Sequence, residues 1–125
     1  MRTRLEKSTL TPRKSRVVFT TEDPQKREIS LYNEVWEKHI STQHPEVNVT
    51  QDNIKYTIES PNVISESDKF ANNYVYSNNS KTKLYINVIV RFTDEEKRIG
   101  NVRTAYVSAE LPKGRVLWAH KKYST

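Results

Sequence analysis

The chain has 125 residues, carries 21 Lys and Arg against 15 Asp and Glu for a formal charge of +6, and contains no cysteine. That length fits one domain, and the missing thiols exclude disulfides, thiolate zinc sites, iron–sulfur clusters and cysteine nucleophiles. A pI near 9.5 favours polyanionic partners, either nucleic acid or an acidic protein.

Mean hydropathy is low, at -0.84, yet the middle of the chain is clearly periodic, which predicts a thin core rather than disorder. No apolar run approaches the roughly 18 residues of a membrane span. The first residues, with Arg2, Arg4, Glu6 and Lys7, lack the apolar stretch of a signal peptide, so a cytoplasmic protein without a membrane partner is expected.

Residues 1–15 read as a basic flexible arm, broken by Pro12. The remainder, 16–125, reads as a single domain. Residues 16–21 are short and β-rich, Thr21 to Pro24 carries turn chemistry, and residues 27–30 are expected to be extended.

A central helix is predicted over residues 31–44. Tyr32, Trp36 and Ile40 form one i, i+4 stripe, and Leu31, Val35 and His39 form another beside it. Ser30 is the expected N-cap, and Pro45 disfavours helical backbone at His44. A second, shorter helix is expected between a cap at Asn48 or Thr50 and a stop at Ser60 and Pro61, with Ile54 and Ile58 on its apolar side.

Tyr74 and Tyr76 alternate with Val75 and Ser77 as in a strand, and residues 77–80 suit a hairpin turn. The strongest strand pattern covers residues 83–92. Leu84, Ile86, Val88, Val90 and Phe92 fall on one face, and Tyr85, Asn87, Ile89 and Arg91 on the other. The charged stretch 93–98 is expected to be a hairpin loop. In the following strand, 99–108, Val102, Thr104, Tyr106 and Ser108 are expected to share one face, opposite Asn101, Arg103, Ala105 and Val107. A turn near Leu111 to Gly114, a short strand at residues 116–118 and a basic tail complete the chain. No internal repeat is detected. With two glycines there is no phosphate-cradling glycine loop.

Two of the three histidines lie in or beside the central helix. His39, on the expected apolar face, is either a packed imidazole or a general acid or base at a cleft between helix and sheet. The five-residue step to His44 turns about 140° around a regular helix, so the two cannot share a pocket unless the chain bends at Pro45. Metal binding is disfavoured because no third ligand is evident beside the two histidines. Thr104, Tyr106 and Ser108 present hydroxyls at strand spacing, suited to phosphate contact or base stacking. Arg91 and Arg103 are cations on neighbouring strands, able to neutralise a phosphate. Lys121 is a further candidate in the basic tail.

The segments W-E-K-H-I…Q-H-P-E, I-K-Y-T-I-E-S-P-N, L-Y-I-N-V-I-V-R-F, V-R-T-A-Y-V and L-P-K-G-R-V-L-W together resemble a phage-associated nuclease-fold family. That family belongs to the barnase–EndoU–colicin–RelE-like superfamily. The resemblance covers roughly residues 16–118, and H-I…H-P-E and T-A-Y are its most specific parts. It implies an α+β fold with two N-terminal helices on a four-stranded antiparallel sheet. It also implies metal-independent RNA cleavage without a cofactor, as a toxin or phage-linked effector. The matching positions are His39, His44, Thr104 and Tyr106. Gln43 stands where the family often has arginine, which removes one phosphate contact.

The expected function is therefore an endoribonuclease in which a base deprotonates the ribose 2′-OH and an acid protonates the leaving oxygen. His39, Thr104, Tyr106 and Arg91 are the candidate catalytic residues. His44, Arg103, Ser108 and Lys121 are the candidate substrate contacts. The expected partners are RNA and an acidic antitoxin or immunity protein. The alternatives are a non-catalytic RNA- or protein-binding module on the same fold and a regulatory partner of an acidic protein.

Overall fold

A computed structural model describes residues 16–40, 49–80 and 83–121. The expected basic arm, the end of the predicted first helix with His44, and the alternative cap Asn48 lie outside these residues. The described strands are β1 (Val17–Glu22), β2 (Glu28–Tyr32), β3 (Val63–Glu66), β4 (Asn73–Asn78), β5 (Tyr85–Phe92), β6 (Ile99–Ser108) and β7 (Val116–Ala119). The helices are α1 (Asn33–Val35), which widens directly into a π-helical turn at Trp36–Ile40, and α2 (Gln51–Glu59).

The seven described strands form one mixed sheet in the order β1-β2-β6-β5-β4-β3-β7. This corrects the expectation of two helices on a four-stranded antiparallel sheet. The class remains α+β, but the sheet is nearly twice as wide and β2 runs parallel to β6. The cause is visible in β2. Ile29 and Leu31 are both fully buried at strand spacing, so Leu31 and Tyr32 belong to the sheet and not to the helix. The helix starts after Tyr32, which occupies the N-cap position without a side-chain cap. Ser30, the expected cap, instead shares a 2.8 Å hydrogen bond with Thr20 across β1 and β2.

As expected from the short loop between them, β5 and β6 are antiparallel neighbours. Their register contains a bulge: Ile89 faces Thr104 and Val90 faces Val102, which leaves Arg103 unmatched. The extra residue reverses the alternation. Val102 joins Ala105 in the core, whereas Thr104, Tyr106 and Ser108 remain on the other face with Asn87 and Ile89. Strict alternation put Val102 with the hydroxyls, and the bulge corrects that.

One sheet face is covered by α2, which lies across β5, β1 and β4 and buries Ile54, Thr57 and Ile58. Thr50 caps α2 through a bond from the Asn53 amide at 3.0 Å, and the Asn53 side chain returns to the Thr50 amide. The core beneath it includes Ile64, Tyr76, Val88, Val90 and Val102.

The parallel pair β2 and β6 is anchored by two turns of the same design. Asp23 and Asp94 each open a turn closed by a lysine with positive φ, Lys26 and Lys97. In each, the aspartate carboxylate accepts backbone amides: Gln25, inside the turn, and Arg27, just beyond it, in the first, and Arg98 and Ile99, just beyond the turn, in the second. Arg98 joins the two by donating to the carbonyls of Gln25 and Lys26 at 3.3 and 3.1 Å. The underlying sequence, D-P-Q-K-R at 23–27 and D-E-E-K-R at 94–98, is a short repeat that the hydrophobic pattern does not reveal.

Candidate functional site

The face opposite α2 carries most of the predicted residues. Its floor is built by alternate positions of β4, β5 and β6, with Val75 opposite Ile89 and Ile89 opposite Thr104. The segment after β3 and the turn before β7 close over this floor and leave a cleft of about 340 Å³. Phe70, Asp68 and Lys69 come from the first segment, Pro112 and Gly114 from the second, and Tyr106 from β6.

Two expected residues meet at this cleft. Tyr106 lines it directly. Arg103, projected outward by the bulge, lays its guanidinium over the Phe70 ring at 4.9 Å from the centroid. Burial, together with the nearby Asp68 charge, raises the Tyr106 pKa, so the phenol stays protonated at neutral pH and acts as a hydrogen-bond donor. Arg91 is exposed on β5, paired in register with Asn73 and Asn101 at the end of the same face.

His39 differs from expectation. Its side chain is exposed, while Ile40 is buried and Trp36 half-buried. The i→i+5 winding of residues 36–40 moves His39 off the apolar stripe that a regular 3.6-residue period assigns it. The backbone of His39 is nonetheless tied to β6, because Thr104 Oγ1 donates to its carbonyl at 3.3 Å. Thr104 therefore holds the helical turn rather than presenting a free hydroxyl to a phosphate.

Ser108 is similarly engaged. Ser77 donates to Asn87 at 2.7 Å, Asn87 donates to Ser108 at 2.9 Å, and Ser108 donates to the Glu110 carbonyl at 2.6 Å. This chain crosses β4, β5 and β6 and satisfies the buried side chains of Ser77 and Asn87. Lys121 follows β7, exposed, far along the sheet from β6. The structure thus brings together Tyr106, Arg103 and, through its backbone, His39, and leaves Lys121 apart.

Phe70, Asp68 and Lys69 escaped the sequence reading, which looked for periodicity. The available signal was an aromatic residue alone in the polar run S-E-S-D-K-F-A-N-N. Ser67 fixes that run by accepting the amides of Lys69 and Phe70, both at 3.1 Å. A second concavity, of about 460 Å³, lies at the end of α2 between Tyr56, Glu59, Trp118 and His120. Its Glu59 carboxylate already accepts the Thr21 hydroxyl.

Among the described residues, no group of three or more His, Asp or Glu side chains is placed to hold a metal ion, and no helix is long and apolar enough to cross a membrane. Compared with family models, with curated proteins and with solved structures, the chain matches none of them.

Proposed function

We propose that the chain is a metal-independent endoribonuclease that lays single-stranded RNA across the open face of β5 and β6. The observation that carries this reading is the bond from Thr104 to the His39 carbonyl, which ties a histidine to the strand bearing Arg103 and Tyr106. In this mechanism His39 serves as the base or the acid. The ribose 2′-oxygen loses its proton and bonds to phosphorus, and the bond from phosphorus to the 5′-oxygen breaks. That oxygen takes up a proton, leaving a 2′,3′-cyclic phosphate and a 5′-hydroxyl. Arg103 and Arg91 neutralise the phosphate, and the neutral Tyr106 phenol donates to a phosphate oxygen or contacts a base. The +6 charge fits RNA and also an acidic antitoxin or immunity protein that would restrain a toxin-type effector acting on cytoplasmic RNA.

A second reading, a non-catalytic RNA-binding module, is favoured by the exposed His39 side chain and by the Arg103–Phe70 stack, which needs no chemistry to bind a strand. Incubation of the purified chain with total RNA in EDTA separates the two. Fragments ending in 2′,3′-cyclic phosphate support the nuclease. Salt-dependent binding without fragments supports the module.

A further inference from the structure

The concavity at the C-terminal end of α2 lies across the sheet from the open face, and its volume of about 460 Å³ admits a small ligand. Tyr56 and Glu59 are three residues apart on α2, a spacing that puts them on one face of the helix. Trp118 comes from β7, where it pairs in register with Ile64. The His120 amide donates to the Asn62 carbonyl at 2.8 Å, which ties the end of β7 to the segment after α2. Two aromatic rings and one carboxylate thus line one space.

Much of the other polar lining is committed to itself. Asn78 donates to the Ser60 carbonyl and accepts both the amide and the hydroxyl of Ser80. Asn62 Oδ1 accepts the Asn79 amide at 2.9 Å. A sugar, which calls on several donors and acceptors at once, is poorly served by such a lining. What the site offers instead is aromatic surface and negative charge. The Glu59 carboxylate accepts the Thr21 hydroxyl, but a neutral hydroxyl does not compensate its charge. The last turn of α2 holds no basic residue, so the partial negative charge of the helix C-terminus adds to that of Glu59. No Lys or Arg is among the described residues of the lining, and the His120 imidazole is its only basic group. A methylated ammonium suits both features: its charge answers the carboxylate and the helix end, and its methyl groups lie against aromatic faces.

We propose that this concavity binds a quaternary ammonium group, with Tyr56 and Trp118 as its aromatic walls and Glu59 as the counter-ion. The inference is independent of the RNA reading, which concerns the other face of the sheet. The test titrates the full chain with choline, with dimethylbutanol, the neutral isostere in which carbon replaces the nitrogen, and with methyl glucoside, and follows backbone amide NMR shifts. Choline should shift amides around residues 56–62 and 118–120 and bind about tenfold more tightly than dimethylbutanol. Glu59→Gln keeps an oxygen for the Thr21 hydroxyl and removes the charge. It should abolish the advantage of choline and leave dimethylbutanol binding unchanged. Tyr56→Leu, at an exposed helix position, should weaken choline binding while circular dichroism shows an unchanged fold. Equal affinity for choline and dimethylbutanol would overturn the cation site, as would tighter binding of methyl glucoside or no binding of choline. A choline advantage that survives Glu59→Gln would overturn the role of Glu59, and choline binding untouched by Tyr56→Leu would overturn that of the aromatic wall.

Discussion

The phenol of Tyr76 donates a 2.6 Å hydrogen bond to the carboxylate of Asp23, 53 residues earlier in the chain. Tyr76 is fully buried on β4, and Asp23 opens the turn between β1 and β2. The same carboxylate accepts Arg27 at 2.8 Å, and Arg27 lies over the Tyr74 ring at 5.1 Å. One buried oxygen cluster thus locks the outer strand pair to the centre of the sheet.

Tyr76→Phe keeps the ring but leaves a buried carboxylate one donor short, so stability should fall by about 1–3 kcal/mol in urea unfolding. The pH dependence carries a second signature. Burial, reinforced by the Asp23 charge, raises the Tyr76 pKa far above its ordinary value near 10. The unfolded chain therefore loses this proton at a pH where the folded chain keeps it. Stability from this group is complete below about pH 10 and declines as pH rises beyond it. Tyr76→Phe should flatten that alkaline decline, and an unaltered decline would show that another group causes it.

Gly100 on β6 lies against the side chains of Val90 and Phe92. A Cβ there would lie 2.7 Å from Val90 Cγ1 and 2.9 Å from Phe92 Cδ1, below any normal contact. Gly100→Ala should cost about 1–3 kcal/mol as those core side chains are displaced. The denaturation midpoint measures this, and an unchanged midpoint would mean that the β5–β6 register differs from the one described.

The parallel pairing of β2 with β6 depends on Arg98 bridging the two turns. Arg98→Ala should cost about 1 kcal/mol, since the guanidinium is exposed and two bonds are lost. Hydrogen exchange should quicken at the Glu28 amide, which donates to the Arg98 carbonyl, before it changes in β4.

The physical reasons for what could be read from sequence are local. The alternation of Ile86, Val88, Val90 and Phe92 and the charged loop after them suffice to pair β5 with β6. Thr50, Ile54 and Ile58 suffice for α2. Leu31 satisfied two periods at once, i, i+2 with Ile29 and i, i+4 with Val35, and pairing with β1, Phe19 to Leu31 and Val17 to Tyr32, decides for the strand. Tyr106 and Arg103 could be singled out because they sit on a strong strand. Phe70 and Asp68 act from an irregular segment, where no period marks them. The side chain of His39 was misplaced because π-helical winding has no sequence period to betray it.

Three substitutions separate catalysis from binding at the open face. If His39 transfers a proton, His39→Ala should lower single-turnover cleavage by a factor of about 10² to 10⁴, the usual worth of one general acid or base. RNA affinity should change little, because cationic contacts to phosphate supply most of it. Thr104→Val is nearly isosteric and removes the donor to the His39 carbonyl without touching the imidazole. It should lower the cleavage rate about tenfold through lost positioning, again with affinity kept. Arg103→Ala should do the reverse: binding weakens, and the slope of log affinity against log salt falls by about one. All of these rates are measured in EDTA. Equal cleavage by wild type and His39→Ala would remove His39 from the mechanism. Binding that responds to Arg103→Ala, with no cleavage by any variant, would leave the open face as a binding surface alone.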